Sequence, residues 1–255
     1  MKRERLDVLL VSRGLAESRT AAQRLLLAGA VKVNGQPAGK AGHLVPDDAD
    51  LQVAGGKPFA SRGGEKLAAA LQHFALSVSG QVCLDVGAST GGFTDCLLQQ
   101  GAARVYAVDG GHGQLDWRLR NDPRVVVREG VNARYLAPAD FPEPIGFATL
   151  DVSFISLTLV LPSATNVVAD GARLVTLIKP QFEAGRAQVG KGGVVRDAAV
   201  RQQVVERIRE FGTNALPLVW DGVVESPLRG PAGNVEFLAC WTRKPRAAAG
   251  AEGGA

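Results

Sequence analysis

The fold of this chain is decided by one stretch, residues 84–93, whose sequence is LDVGASTGGF. A short apolar segment that runs into glycines and small residues is typical of a buried strand followed by a tight turn. In α/β sheets such a turn lets backbone N–H groups approach a ligand closely. The stretch therefore predicts a nucleotide-type ligand site. The candidate binding residues within it are Asp85, Gly87, Ser89, Gly91, Gly92 and Phe93.

Strands and helices alternate on both sides of this stretch. The predicted strands cover residues 81–86, 104–108, 125–128, 146–151, 173–178, 219–224 and 235–241, and the predicted helices cover 65–74, 92–99, 156–168 and 198–211. Alternation of this kind indicates a parallel sheet with helices on both faces. The last two strands follow each other without a clear helix and predict an antiparallel edge. The fold class is therefore α/β, with a Rossmann-like sheet of seven mostly parallel strands.

The N-terminal part of the chain has a different pattern and a different charge. Helices are predicted over residues 5–12 and 19–28 and short strands over 31–33 and 50–53, with a hairpin turn at Asn34-Gly35. Residues 1–45 contain eight lysines and arginines against three acids, a net charge of +5, whereas the whole chain carries +4. A small basic module indicates phosphate binding, and a solvated surface without a partner is the alternative. The candidate RNA-binding residues are Arg5, Arg19, Arg24, Lys32 and Arg62.

The composition of three segments predicts the domain boundaries. The sequence AGGKP at residues 54–58 breaks both patterns and is typical of a linker. We therefore expect a small α+β domain at residues 1–56, a linker at 57–62 and the α/β domain at 63–243. Residues 244–255 are mostly alanine, glycine and charged residues, and we expect this tail to be disordered.

Cysteine, histidine and apolar residues are distributed in a way that excludes several classes of protein. The three cysteines form no Cys-x-x-Cys pair and the three histidines lie far apart, so we expect neither a disulfide framework nor a metal site. No apolar run is long enough for a signal peptide or a membrane helix. We therefore expect a cytoplasmic protein without stable membrane association.

The residues around the glycine turn favour one cofactor. Asp109 ends the second predicted strand, 22 residues beyond Gly87, where a carboxylate can accept hydrogen bonds from ribose hydroxyls. The turn lacks the G-x-G-x-x-G spacing of NAD sites, which argues against a dehydrogenase. Asp85 favours a ligand with a free ammonium group. The sequence therefore predicts S-adenosylmethionine, with Asn132, after the third strand, as a further candidate contact.

Four ionisable residues are expected at the same edge of the sheet, namely Lys66, Asp151, Lys179 and Glu236. A charge embedded in apolar strand sequence is costly unless it is paired, so we expect the two lysines and two acids to pair mutually. Amino-group methyltransferases usually have an Asn/Asp-Pro-Pro-aromatic run where this chain has the sequence DVSF, and cytosine-carbon methylation needs a nucleophilic cysteine near the site. Both of these methyl acceptors therefore fit this chain less well.

Five segments of the chain resemble the TlyA (hemolysin A) family of rRNA methyltransferases and, more distantly, the FtsJ-type ribose methyltransferases. The segments are SRGGEKL at 61–67, DVGASTGGFTD at 85–95, DVSFIS at 151–156, IKPQFE at 178–183 and GNVEF at 233–237. The N-terminal module resembles the RNA-binding domain named after ribosomal protein S-four. The resemblance implies that Lys66, Asp151, Lys179 and Glu236 are catalytic.

The resemblance implies a function as well. It predicts transfer of a methyl group to the ribose 2′-hydroxyl of cytidine in ribosomal RNA, with rRNA or ribosomal subunits as the partner. Lys179 in its neutral form would then accept the hydroxyl proton. Two alternatives stay open at this point: a non-enzymatic RNA-binding factor of ribosome assembly, and a membrane-active hemolysin.

Overall fold

A computed structural model describes residues 3–16, 18–53 and 58–246 of the 255-residue chain. The chain divides into two compact units, which meet in the sequence between Pro58 and Phe59. The backbone N–H of Ala60 donates to Asp95 Oδ2 at 2.7 Å. Residues 59–62, which the sequence predicts as linker, therefore belong to the second unit.

The N-terminal unit is a small α+β module. Its elements are β1 (Arg3–Arg5), α1 (Leu6–Ser12), α2 (Arg19–Leu27), β2 (Val31–Val33), β3 (Gln36–Pro37), β4 (Leu44–Pro46) and β5 (Leu51–Val53). The strands form two antiparallel sheets, β1-β4 and β3-β2-β5. Asn34 and Gly35 both have positive φ, which confirms the predicted hairpin turn. The two helices are confirmed, whereas β1, β3 and β4 are too short for the sequence pattern to reveal.

Apolar residues at helical spacing form the core of this unit. Leu6, Leu9 and Leu10 of α1 are buried together with Ala22 of α2 and Val31 of β2. Ser18 caps α2 by accepting a hydrogen bond from the backbone N–H of Ala21, at 3.2 Å. The two helices therefore pack through one apolar face each and leave polar faces to the solvent.

The second unit has a seven-stranded sheet in its described part. Its elements are α3 (Gly63–His73), β6 (Val82–Val86), α4 (Gly92–Gln99), β7 (Arg104–Val108), α5 (Trp117–Arg120), β8 (Val125–Arg128), β9 (Ile145–Leu150), α6 (Leu157–Val167), β10 (Val168–Ile178), α7 (Pro180–Glu183), α8 (Ala198–Ala215), β11 (Leu218–Glu225) and β12 (Phe237–Arg243). The strand order is β11-β12-β10-β9-β6-β7-β8. Strands β6 to β10 run parallel, and β12 pairs antiparallel with both β10 and β11.

This order confirms the predicted α/β fold class and its antiparallel edge. The chain crosses from β6 to β7 and β8 on one side, and then returns to β9 on the other side of β6. Ligands of such sheets bind beyond the carboxyl ends of the strands at the point where the strand order reverses. That point lies here between β6 and β9.

Two apolar clusters cover the two faces of this sheet. One contains α6 and α8 residues such as Leu161 and Ile208, and the other contains α3 and α4 residues such as Leu67 and Leu97. Helices therefore pack on both faces, as the alternation predicts.

The final residues of the described part differ from the sequence-based prediction. The tail predicted to be disordered begins at residue 244, but the backbone N–H of Arg246 donates to Asp170 Oδ2 at 2.8 Å and its guanidinium donates to the carbonyl of Asn166. Residues 244–246 are thus bound to the second unit. Residues 247–255 lie outside the described part of the chain.

Candidate active site

Two adjoining cavities lie at the carboxyl edge of the sheet in the second unit. The turn cavity, with a volume of about 630 Å³, is lined by the ends of four strands and includes Asp109, Asn132 and Asp151. The lysine cavity, with a volume of about 290 Å³, includes all four of the predicted catalytic residues. The two cavities share part of their lining, namely Gly87, Ser89, Asp151 and Ser153. A ligand in one cavity can therefore touch a ligand in the other.

The four charged residues form two ion pairs in the lysine cavity. Lys66 Nζ lies 2.5 Å from Glu236 Oε2, and Lys179 Nζ lies 2.6 Å from Asp151 Oδ1. Lys179 also donates a hydrogen bond to Ser153 Oγ at 2.8 Å. Glu236 is almost fully buried and each lysine side chain is about one-tenth exposed. The predicted mutual pairing is confirmed, and Ser153 is a partner that the sequence analysis did not identify.

Strand ends bring these residues together. Asp151 follows β9 directly, Lys179 follows β10 directly, and Glu236 comes one residue before β12, while Lys66 lies in the first turn of α3. Strands β9, β10 and β12 are neighbours in the sheet. Because β12 is antiparallel to β10, its first residues lie at the same edge as the last residues of β10. The antiparallel strand therefore delivers Glu236 to the carboxyl edge of the parallel strands.

The glycine turn brings backbone close to the cavity floor. Gly87 has a φ of +84° and a Cβ there would collide with the backbone carbonyl of Asp151, so only glycine fits. The carboxylate of Asp109 accepts hydrogen bonds from the N–H groups of Ser89 and Gly111, each at 2.7 Å. These bonds fix the carboxylate in the wall of the turn cavity, where its remaining lone pairs can accept hydrogen bonds from a ligand.

The linings of the two cavities carry opposite charge. The residues of the turn cavity include two carboxylates, Asp109 and Asp151, and neither lysine nor arginine. The residues of the lysine cavity include four cations against two acids. Two of those cations, Arg62 and Arg229, belong to none of the ion pairs recorded among the described residues. The turn cavity therefore suits a cationic ligand and the lysine cavity an anionic one.

Asp85 requires a correction, because the structure does not bring it to either cavity. Its side chain is fully buried and accepts hydrogen bonds from Thr94 Oγ1 at 2.7 Å and Thr149 Oγ1 at 2.9 Å. Burial raises the pKa of Asp85 to about 6, although the two threonine hydrogen bonds oppose that shift. Asp85 thus fastens β6 to α4 and β9 beneath the turn, and does not meet the ammonium group of a ligand.

Gly91 is also displaced from its predicted role. It lines neither cavity, and with a φ of +92° it begins α4, where a Cβ would collide with the side chain of Leu119. Gly91 therefore serves the close packing of α4. The other predicted cofactor residues line one or both cavities, namely Gly87, Ser89, Gly92, Phe93, Asp109 and Asn132.

Several lining residues lack a clear sequence signal. The turn cavity includes Gln114, Val131 and Ile155, which follow strands or precede helices in loops of ordinary composition. Arg229 lies in the loop between β11 and β12, where the sequence does not indicate which side chain lines the cavity. The register of the strands predicts where strand ends lie, but it does not predict where loop side chains lie.

The predicted RNA-binding residues are distributed over both units. In the N-terminal unit the fully buried carboxylate of Asp7 accepts hydrogen bonds from Arg5 at 3.0 and 2.9 Å, from Arg19 at 3.2 Å and from Gln23 at 3.1 Å. The hydrogen bonds from Arg5 hold the pKa of Asp7 well below its usual range. Arg24 and Lys32 are exposed, and Arg62 is exposed at the wall of the lysine cavity.

The fold and the two adjoining cavities together indicate a class of protein, an enzyme that brings two ligands into contact at the carboxyl edge of an α/β sheet. Comparison with known families gives the particular family. Residues 59–243 match the model of the FtsJ-like methyltransferases and residues 4–51 match the S4 domain. This chain belongs to the FtsJ-like methyltransferase family.

Similar proteins support this assignment along nearly the whole chain. The 16S/23S rRNA (cytidine-2′-O)-methyltransferase TlyA of Mycobacterium tuberculosis is 48% identical over 248 residues, which cover 95% of this chain and 90% of that protein. Hemolysin A of Brachyspira hyodysenteriae is 44% identical, over 92% of this chain and 98% of that protein. A solved structure described as a hemolysin from Streptococcus thermophilus has a TM-score of 0.72 and 45% identity, and the match covers 98% of this chain and 92% of that one.

Two kinds of feature are absent from the described residues, a membrane-spanning helix and a metal-binding cluster. No helix among them combines the length and the apolar character that crossing a membrane requires. Within the same residues, no group of three or more histidine, cysteine, aspartate or glutamate side chains is arranged to hold a metal ion.

Proposed function

We propose that this methyltransferase uses S-adenosylmethionine to methylate the ribose 2′-hydroxyl of cytidine in ribosomal RNA. The observation that carries the proposal is the pairing of Lys66 with Glu236 and of Lys179 with Asp151 in one cavity beside the turn cavity. Ribose hydroxyls are very weak acids, so their methylation needs a group that takes the proton and a cation that stabilises the oxygen. Two lysines held at fixed positions meet both needs.

The turn cavity fits the cofactor. Asp109 offers carboxylate lone pairs to ribose hydroxyls, and Val131, Ile155 and Val160 offer an apolar surface to the adenine ring. The cavity volume of about 630 Å³ lies within the roughly 300–1,000 Å³ range of ligand sites. The cofactor carries positive charge, which the acidic lining favours. When bound, it supplies an electrophilic methyl group on a sulfonium.

Lys179 is the proposed base. Its Nζ lies where the two cavities meet, because its partners Asp151 and Ser153 line both of them. As the proposed base, the amine of Lys179 accepts the 2′-hydroxyl proton, and Asp151 stabilises the ammonium that forms. Lys66, held by Glu236, is the proposed cation beside the ribose oxygen.

The relatives and the N-terminal unit support RNA as the acceptor. The Mycobacterium tuberculosis relative is named for cytidine 2′-O-methylation of 16S and 23S rRNA, and residues 4–51 match the S4 domain. We propose that Arg5, Arg19, Arg24 and Lys32 bind RNA phosphates, and that the enzyme works in the cytoplasm on ribosomal subunits or their RNA. Charge steers such binding without reading sequence.

Nucleoside analysis of methylated RNA tests the proposed reaction. Unmethylated 16S and 23S rRNA would be incubated with S-adenosylmethionine and wild-type protein, digested, and analysed by mass spectrometry. We expect 2′-O-methylcytidine from the wild type, almost none from Lys179→Ala, and a wild-type amount from Lys244→Ala, which removes an exposed lysine that lines neither cavity. Base-methylated cytidine, or full activity of Lys179→Ala, would contradict the proposal.

Calorimetry separates loss of chemistry from loss of cofactor. We expect wild type and Lys179→Ala to bind S-adenosylmethionine alike, since Lys179 lines only the lysine cavity. Absence of binding to the wild type, with or without rRNA, would favour a non-enzymatic RNA-binding role. Leakage of liposomes at low protein concentration would instead favour a membrane-active hemolysin.

A further inference from the structure

The loop between β11 and β12 places Arg229 at the lysine cavity, and this arginine has no charged partner among the described residues. Arg229 is exposed, lines the cavity, and forms none of the ion pairs or hydrogen bonds recorded for the described residues. Most arginines of the second unit are bound to a carboxylate or a carbonyl; Arg104, Arg118 and Arg207 are examples. A cation without a partner at a cavity indicates an anionic ligand.

The loop fixes the position of Arg229. The backbone N–H of Ser226 donates to the carbonyl of Glu236 at 2.8 Å, and the N–H of Gly230 donates to the carbonyl of Asn234 at 2.9 Å. Prolines at positions 227 and 231 restrict the backbone on both sides of Arg229. The backbone of the loop is therefore held in place, so that binding a ligand through Arg229 requires ordering of its side chain only.

The same loop approaches the ion pair of Lys66 closely. A Cβ at Gly230 would collide with Glu236 Oε1, so the backbone at residue 230 lies directly against that carboxylate. Arg229 is the adjacent residue, yet its guanidinium forms no ion pair with Glu236, whose Oε2 is bound to Lys66. Arg229 therefore lies next to this ion pair without joining it, and its positive charge is available to a ligand in the lysine cavity.

We infer that Arg229 binds a backbone phosphate of the RNA next to the acceptor ribose, and so contributes to the affinity of the lysine cavity for the strand. The inference rests on the proposed function, because it takes RNA as the ligand of this cavity. Arg62 is the second unpaired cation of the lining and binds a further phosphate. A nucleotide carries a phosphate on each side of its ribose, so two cations around one acceptor site match the charge of the strand.

Steady-state kinetics with rRNA test the role of Arg229. We expect Arg229→Gln to raise the KM for unmethylated rRNA transcripts about tenfold, the effect of losing one charge-assisted contact. The kcat and the dissociation constant for S-adenosylmethionine should stay at their wild-type values. Arg209→Gln is the matched control, because it removes the same charge from an exposed side chain on α8 that lines neither cavity.

Salt dependence distinguishes a phosphate contact from a structural role. The logarithm of RNA affinity decreases linearly with the logarithm of salt concentration. In Arg229→Gln we expect the magnitude of this slope to be smaller by about 0.7, the value for one phosphate contact on single-stranded RNA. Arg229→Lys should recover part of the affinity and the full slope. Kinetics and slope equal to those of Arg209→Gln would overturn the inference, as would weaker binding of S-adenosylmethionine, which would assign Arg229 to the cofactor.

A modified substrate then locates the contact independently of the reaction. The acceptor nucleotide is first located by mapping the methylated ribose on rRNA. In a synthetic RNA that contains this nucleotide, a methylphosphonate then removes the charge of one flanking phosphate at a time. We expect one of the two substitutions to weaken binding to the wild type but not to Arg229→Gln. Equal weakening in both proteins at both positions would overturn the inference. If nucleoside analysis shows a base product instead of 2′-O-methylcytidine, the proposed function fails while this binding test still stands.

Discussion

Both units of this protein hold cationic side chains on a carboxylate, but they present the cations in opposite ways. In the N-terminal unit Asp7 is fully buried, and the side chains of Arg5 and Arg19 are 47% and 57% exposed. In the second unit the side chains of Lys66 and Lys179 are each 11% exposed and end in a cavity. A cation that faces the solvent can attract an RNA strand from a distance, whereas one that is held at a fixed place in a cavity can act on a single bond.

The acids of the two units therefore contribute to different steps. Asp7 orients two arginines that stay available to phosphates, since guanidinium groups have five donors and Asp7 uses only part of them. Glu236 and Asp151 instead hold lysines whose side chains are only about one-tenth exposed. We therefore expect the first cluster to control RNA affinity and the second to control the rate of methyl transfer.

The largest effect should follow from breaking the most buried pair. In Glu236→Gln the Lys66 ammonium loses its counter-ion in a site that is nearly closed to solvent. We expect the free energy of unfolding to fall by about 3 kcal/mol and methylation to fall by about 10²-fold or more. Tryptophan fluorescence during urea unfolding measures this, because all three tryptophans, Trp117, Trp220 and Trp241, lie in the second unit.

An exposed pair provides the control for Glu236. Glu206→Gln also converts a carboxylate paired with a cation into an amide, but Glu206 and Arg209 are each 44% exposed. We expect it to change the free energy of unfolding by less than about 1 kcal/mol. If both variants lose the same stability, burial does not distinguish the two kinds of pair.

An intermediate effect is expected from Asp7→Asn. This substitution adds one positive charge to the protein, so bulk electrostatics alone predict tighter RNA binding. Because Asp7 orients Arg5 and Arg19, we expect binding to rRNA to weaken about tenfold instead. Filter binding would measure the affinity, and far-UV circular dichroism would check that the fold is kept. Asp48→Asn, which adds the same charge at an exposed site of the same unit, should bind no more weakly than the wild type.

The smallest effect on function is expected from Asp85→Asn, which acts on stability alone. The folded-state pKa of Asp85 is about 6, above its ordinary value of 3.8. The folded state therefore holds the proton more tightly, and the wild type loses stability as pH rises from about 4 to about 6. The variant has no ionisable carboxyl at this position. Over that window the free energy of unfolding of the wild type should therefore fall by up to about 3 kcal/mol relative to that of the variant.

Asp122→Asn is the control for the titration of Asp85. Hydrogen bonds from Arg124 lower the pKa of Asp122, so its contribution to stability is lost only below about pH 4. The difference between wild type and this variant should be flat from pH 4.5 to 7. A flat difference for Asp85→Asn over the same range would show that burial does not raise the pKa of Asp85.

Asp85 and Asp109 illustrate which site residues the sequence predicts correctly and which it does not. Asp85 lies in β6, which leads to the glycine turn, and Asp109 directly follows β7. The sequence predicts both as cofactor residues. Asp109 lines the turn cavity. Asp85 is instead paired in register with Thr149 of β9, and its carboxylate is buried against that threonine and Thr94 of α4. Thr149 is 64 residues away in the sequence, so only the tertiary structure reveals which face the carboxylate takes.

Other features divide in the same way. The alternation of strands and helices predicts the sheet, and the cost of isolated buried charge predicts the pairing of Lys66 with Glu236 and of Lys179 with Asp151. Arg229 and the short strands β3 and β4 escape prediction. Their positions depend on loop geometry and on two- or three-residue pairings, which leave no periodic pattern.

The division between binding and chemistry can be tested in one experiment, a single-turnover methylation assay with rRNA in which the RNA dissociation constant and the transfer rate are measured together. Lys179→Ala should lower the transfer rate by about 10²- to 10⁴-fold, the contribution of a general base, and leave the dissociation constant unchanged. Asp7→Asn should raise the dissociation constant and leave the rate at saturating RNA unchanged. A Lys179→Ala protein that keeps its rate, or an Asp7→Asn protein that loses rate at saturation, would contradict the account.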